Sequence, residues 1–158
     1  MFVRGARRLG VGFAAARPAL ARLAGSSLLF SVCEAAYGTG MTALAAAGPA
    51  GTSRLAAVHS REKSGPGETA GLALRWEAIG PGGELFPALD ADLTLAPDGE
   101  DAVELTLAGV YRPPPGSGGG LGQPSWRRAA DTAIQAFLGQ VTEAVAAPAL
   151  GPDGRTAR

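Results

Sequence analysis

A chain with one thiol and one imidazole has few routes to nucleophilic or metal chemistry. Cys33 is the only cysteine and His59 the only histidine. No second imidazole or thiolate exists to complete a typical zinc site, so neither a metal nor another cofactor is expected. A Cys33–His59 dyad is formally open, but no local signature surrounds either residue. His59 falls toward the end of an expected strand, where a structural or solvated role is the simpler expectation. No catalytic residue is assigned.

Asp90 and Asp92 are the next candidates. Two carboxylates two residues apart share one face of a strand, where they could hold a cation or divide acid and base roles. Their neighbours Leu85, Leu89, Ala91, Leu93 and Leu95 occupy the alternate positions. The acids therefore belong to the face opposite the apolar one, and that face is expected to meet water. The glycine-rich run over 116–122 lacks the Lys-Ser/Thr of a phosphate loop and the spacing of a dinucleotide fingerprint. It is expected to be a flexible linker or a lid.

The aromatic residues are stronger candidates. Trp76 and Tyr111 sit on apolar faces of alternating segments, and Trp126 and Phe137 recur at helical spacing. Such residues either fill a core or line a pocket that a ligand completes. Gly109, Ala130, Ala133 and Ala144 are small residues facing large ones, which suggests unfilled volume. Arg112 follows Tyr111 and could meet an anionic head group at the mouth. The expected lining is Trp76, Leu89, Leu93, Leu107, Tyr111, Arg112, Trp126, Ile134 and Phe137.

Elements must exist to position these side chains. The 158 residues are 46% apolar and 18% charged, enough to bury a core without a disulfide or metal. Fourteen basic residues balance fourteen acidic ones, which argues against nucleic-acid binding. Phe2-Val3 is expected to be a very short strand. Leu9, Val11, Phe13, Ala16, Leu20 and Leu23 follow a helical stripe around Pro18, and a second short helix covers Leu28 to Tyr37, closed by Gly38 and Gly40. Met41 to Ala47 and Arg54 to Glu62 are weaker strand candidates.

Three clear strands follow, over Gly71 to Ile79, Leu85 to Leu95 and Val103 to Tyr111. Each has one apolar and one polar face, and short turns join them into an antiparallel meander. From Ser125, a possible cap, Trp126, Ala130, Ala133, Ile134, Phe137, Val141 and Val145 recur at steps of three and four, predicting an amphipathic helix of about 22 residues that covers the meander. One domain over 1–147 and a disordered tail over 148–158 complete the reading.

Residues 1–33 hold five arginines and no acid. That composition suits a transit peptide as well as a basic amphipathic helix, and a folded part of the domain is the expectation. No stretch reaches the ~18 to 20 apolar residues that a membrane span requires. A cytoplasmic setting is expected.

The element order resembles the helix-grip fold of the START-like, polyketide-cyclase-like (SRPBCC) superfamily. The segments Leu74 to Ala78, Leu85 to Leu93 and Gly109 to Pro114 look like actinobacterial members, as does the near-absence of lysine beside thirteen arginines. The resemblance implies an α+β fold in which a curved antiparallel sheet grips the C-terminal helix, with a cavity between them for a hydrophobic or amphipathic molecule of lipid or polyketide type. A cyclase- or hydrolase-type enzyme is the second reading, with Tyr111 its best polar residue. A structural or partner-binding domain, for instance a homodimer, is the third. The superfamily has no universal catalytic motif, so the resemblance assigns none.

Overall fold

The computed structural model describes residues 1–24, 26–45, 57–64, 69–77, 87–114 and 122–147, and for 42–45, 57–64 and 122–123 the backbone alone. The chain runs β1 (Phe2–Leu9), α1 (Phe13–Ala24), α2 (Ser27–Ala45), β2 (Ala57–Ser64), β3 (Ala70–Glu77), β4 (Ala88–Pro97), β5 (Val103–Arg112) and α3 (Gly122–Ala146). The described strands form one antiparallel sheet in the order β1-β5-β4-β3-β2. The fold is α+β, a curved sheet with a long C-terminal helix and two N-terminal helices, in the helix-grip arrangement.

The period-2 alternation of β3, β4 and β5 decides which face meets the helices. Leu72, Leu74 and Trp76, then Leu89, Ala91, Leu93 and Leu95, then Val103, Leu105, Leu107 and Tyr111 are all buried on the inner face. Register turns these into rows across the sheet: Trp76, Leu89 and Tyr111 form one, and Leu72, Leu93, Leu107 and Gly5 another. Burying one such large apolar side chain contributes roughly 1.5–3 kcal/mol, so the inner face drives the docking of the helices.

The helix that covers this face follows its expected stripe. Trp126, Ala130, Ala133, Ile134, Phe137, Val141 and Val145 are buried, and Arg127, Arg128, Asp131, Gln135 and Glu143 are exposed. The helix is longer than expected. It begins at Gly122, so Ser125 lies inside it and is not its cap. Pro124 in the first turn is compatible with that start, because the first helical N–H groups have no intrahelical acceptor.

Three N-terminal expectations are corrected. The first strand spans eight residues, with Val3, Gly5 and Leu9 buried. Its alternation is hidden in sequence because Gly5 and Arg7 occupy inner-face positions. A side chain at Gly5 would collide with Leu138 and Ile134, at 2.8 and 2.9 Å from an ideal Cβ, so the glycine admits α3. Arg7 lies at the rim, where its guanidinium donates to Gln135 Oε1 at 3.2 Å.

The second helix does not stop at Gly38. It continues to Ala45 and takes in most of the expected Met41–Ala47 strand, whose last two residues lie outside the described ones. Glycine inside a helix costs about 1 kcal/mol relative to alanine. Tertiary packing overrides that preference at Gly40, where an ideal Cβ would stand 2.7 Å from the Ala129 carbonyl and 2.8 Å from Ala133 Cβ. Leu9 and Val11 precede α1, which begins at Phe13 and runs through Pro18. The arginine-rich N-terminal third thus forms β1, α1 and the start of α2.

The expected turn over 80–83, most of the run over 116–122 and the tail over 148–158 lie outside the described residues, as does the side chain of His59. No single helix among the described residues is long and apolar enough to cross a membrane.

Candidate ligand site on the inner face

Four polar-tipped side chains gather at the Trp76–Leu89–Tyr111 end of the inner face. Trp76 and Tyr111 come from β3 and β5 and are 1% and 3% exposed. Cys33 and Tyr37 come from α2, one turn apart, and are 0% and 3% exposed. Their helix presents Leu29, Val32, Cys33, Ala36 and Tyr37 as one buried stripe. Phe137 of α3 closes on Trp76 with ring centroids 5.3 Å apart and planes at 60°. That is the edge-on geometry that ring quadrupoles favour.

The polar tips differ in how they are satisfied. Tyr37 Oη donates to the Pro87 carbonyl at 3.2 Å. The indole N–H groups of Trp76 and Trp126 are buried and meet no hydrogen-bond acceptor. The Cys33 thiol stands beside the Trp76 N–H closely enough to feel it, without forming a bond of good geometry. Sulfur is in any case a weak acceptor.

Burial also sets protonation. It pushes the Cys33 thiol up to about 12, an effect the neighbouring Trp76 N–H partly offsets. Burial likewise raises both tyrosines, Tyr111 further through the proximity of Tyr37. At neutral pH all three are uncharged. Among the described residues no charged side chain is buried.

The nine expected lining residues separate into two groups. Trp76, Leu89, Leu93, Leu107, Tyr111, Trp126, Ile134 and Phe137 belong to one buried apolar cluster. Arg112 does not join them. It occupies the outer face, where its Nη2 lies 2.8 Å from Asp90 Oδ2 and its side chain is 57% exposed. Arg75 reaches the same carboxylate at 3.8 Å. Asp90 and Asp92 are therefore on the outer face, as alternation requires. An arginine one residue beyond an inner-face tyrosine must point the other way.

The small residues do not open volume in the expected manner. An ideal Cβ on Gly109 would overlap the Asp90 carbonyl and lie 2.6 Å from Ala91 Cβ, so neighbouring backbone already occupies that space. Ala129 and Ala133 receive Gly40 of α2. A groove of about 280 Å3 lies elsewhere, lined by Ala19, Arg22, Leu23, Ser26, Leu28, Ala144 and Ala147.

Sequence reasoning missed Cys33 and Tyr37 as members of the cluster. The available signal was the spacing of Leu29, Cys33, Tyr37 and Gly40, which continues one helical stripe past Gly38.

Comparison with known proteins extends the fold and not the chemistry. No family model matches the sequence, and no curated protein matches it significantly. Among solved structures, a conserved protein from Geobacillus kaustophilus superposes with a TM-score of 0.54 at 14% identity, over 92% of this chain and 95% of that one. A hypothetical protein from Helicobacter pylori gives 0.47 at 12% identity, over 90% and 86% of the two chains. The Zhui aromatase/cyclase from Streptomyces sp. R1128 gives 0.41 at 11% identity, over 92% and 90%. The first of these likenesses establishes a shared fold.

Proposed function

We propose that this chain is a START-like domain that binds a hydrophobic or amphipathic small molecule, of lipid or polyketide type, between the inner sheet face and its helices. The observation carrying this reading is the cluster of Cys33, Tyr37, Trp76 and Tyr111: neutral polar tips, one of them an unpartnered donor, within an otherwise apolar wall. Ligand pockets have this composition, mostly apolar with a few placed polar groups. Phe137 already fills the space over Trp76, so the guest lies beside that contact and not between the two rings.

Catalysis is the less supported reading. An acid–base catalyst works best with a pKa near the operating pH, and the cluster's thiol and phenols are all displaced upward. Tyr111 remains the residue to test for it, as a hydrogen-bond donor. A partner surface is supported by Phe2 and Val110, cross-strand neighbours that are 63% and 40% exposed. Sedimentation of the purified chain tests self-association there. The unpaired Cys33 suits a reducing, cytoplasmic setting.

The deciding experiment is titration with an environment-sensitive apolar dye, followed by displacement with lipids and aromatic ketones. Saturable one-site binding that displaces supports the proposal. A featureless or non-saturable response refutes it.

A further inference from the structure

The polarity of the cluster narrows the ligand class. We infer that the ligand is an uncharged molecule on an apolar frame that carries a hydrogen-bond acceptor, such as a ketone or ester carbonyl, and that this acceptor takes the Trp76 indole N–H. The inference rests on the binding reading above and adds the charge and acceptor character of the guest.

Three observations carry it. First, Trp76 Nε1 is a buried donor without an acceptor. An indole nitrogen can only donate, so what it lacks is an acceptor and not a second donor. Leaving a buried donor unmet is unfavourable, and an incoming carbonyl oxygen recovers that loss. Second, the Tyr37 hydroxyl of the same cluster is already engaged by the Pro87 carbonyl, whereas the Trp76 N–H is not engaged. Third, no charged side chain is buried among the described residues, and Arg112 is held outside by Asp90. A carboxylate or ammonium entering this wall would shed its water with no counter-charge to receive it. The site thus selects against fatty acids and free amines, and against a plain alkane by the missing acceptor.

Trp126 Nε1 is also buried and unmet. It lies eleven residues before Phe137 on α3, about 16 Å along the helix, and so serves as an internal comparison.

The test uses the full chain labelled with 15N, whose two tryptophans give two indole N–H signals. Trp76→Phe and Trp126→Phe assign them. The probes are 2-acetylnaphthalene, 2-ethylnaphthalene and 2-naphthoate, close in shape and different in acceptor and charge. The expected result at pH 8 is saturable binding of the ketone at least tenfold tighter than either analogue, with a downfield shift of the Trp76 indole proton. In Trp76→Phe the ketone should lose its advantage over the alkyl analogue. If circular dichroism shows that this variant does not fold, the wild-type shift and the three affinities decide.

Naphthoate binding as tightly as the ketone, or the alkyl probe doing so, overturns the inference and leaves the binding reading standing. A shift confined to Trp126 overturns the assignment to Trp76. No binding of any probe counts against this inference, and the dye titration then separately decides the binding reading.

Discussion

Phe137 of the C-terminal helix meets Trp76 of β3 edge to face, with ring centroids 5.3 Å apart and planes at 60°. Helix and sheet are in direct aromatic contact at that point. Both rings are almost fully buried, at 0% and 1% exposure. Replacing Phe137 with alanine removes the ring that seals Trp76 and leaves a cavity. The expected loss is about 3–5 kcal/mol, measured as the shift in urea-denaturation free energy.

Gly40 lets α2 and α3 approach closely over Ala129 and Ala133. A Gly40→Val variant must force the helices apart or strain the side chain. Overpacking of this kind costs typically 1–3 kcal/mol, and β-branched valine gains little helix propensity in return. Thermal and urea denaturation should both show the loss. A variant as stable as the parent would mean that the helices do not touch there.

Gly109→Ala should be worse tolerated than most alanine substitutions in a strand. Its Cβ would overlap the Asp90 carbonyl, which is backbone and cannot rotate away. Severe destabilisation or loss of soluble protein is expected, against a loss of only about 0.5–1 kcal/mol for an Ala108→Gly control on the outer face of the same strand.

Stability should fall at alkaline pH. The Cys33 thiol is raised from 9.0 to about 12 in the folded chain, so between those values the folded state holds a proton that the unfolded state has released. Stability from this group is therefore complete below pH 9 and is lost progressively above it, with a limiting slope of about 1.4 kcal/mol per pH unit. Tyr37 and Tyr111, also raised, add to the decline from pH 10 upward. Urea denaturation from pH 7 to 10.5 should show the onset near 9, and Cys33→Ala should move it toward 10.

Arg112→Ala should leave ligand-probe affinity unchanged, since Arg112 faces away from the cluster. Its ion pair with Asp90 is about half exposed, and such pairs contribute roughly 0–1 kcal/mol. A marked loss of affinity in this variant would place Arg112 in the site after all.

The alternation of Leu89, Ala91, Leu93 and Leu95 against Asp90, Asp92 and Thr94, and the stripe from Trp126 to Val145, were legible in the sequence. Side-chain periodicity is a local property, so it determines which residues face inward and which face water. It placed Trp76, Tyr111, Trp126, Ile134 and Phe137 on the apolar side between sheet and helix and the DxD acids outside.

What needed the tertiary structure were the positions where two elements touch. Gly5 disguises a strand, and Gly38 and Gly40 look like a helix end, because propensity is read one segment at a time. Only the approach of α3 gives Gly5 and Gly40 a packing role, and only the docking of α2 brings Cys33 and Tyr37 to Trp76 and Tyr111. Local sequence determined which faces are apolar. The choice of which apolar faces meet, and hence which donors are left without an acceptor, depends on contacts between residues far apart in the chain.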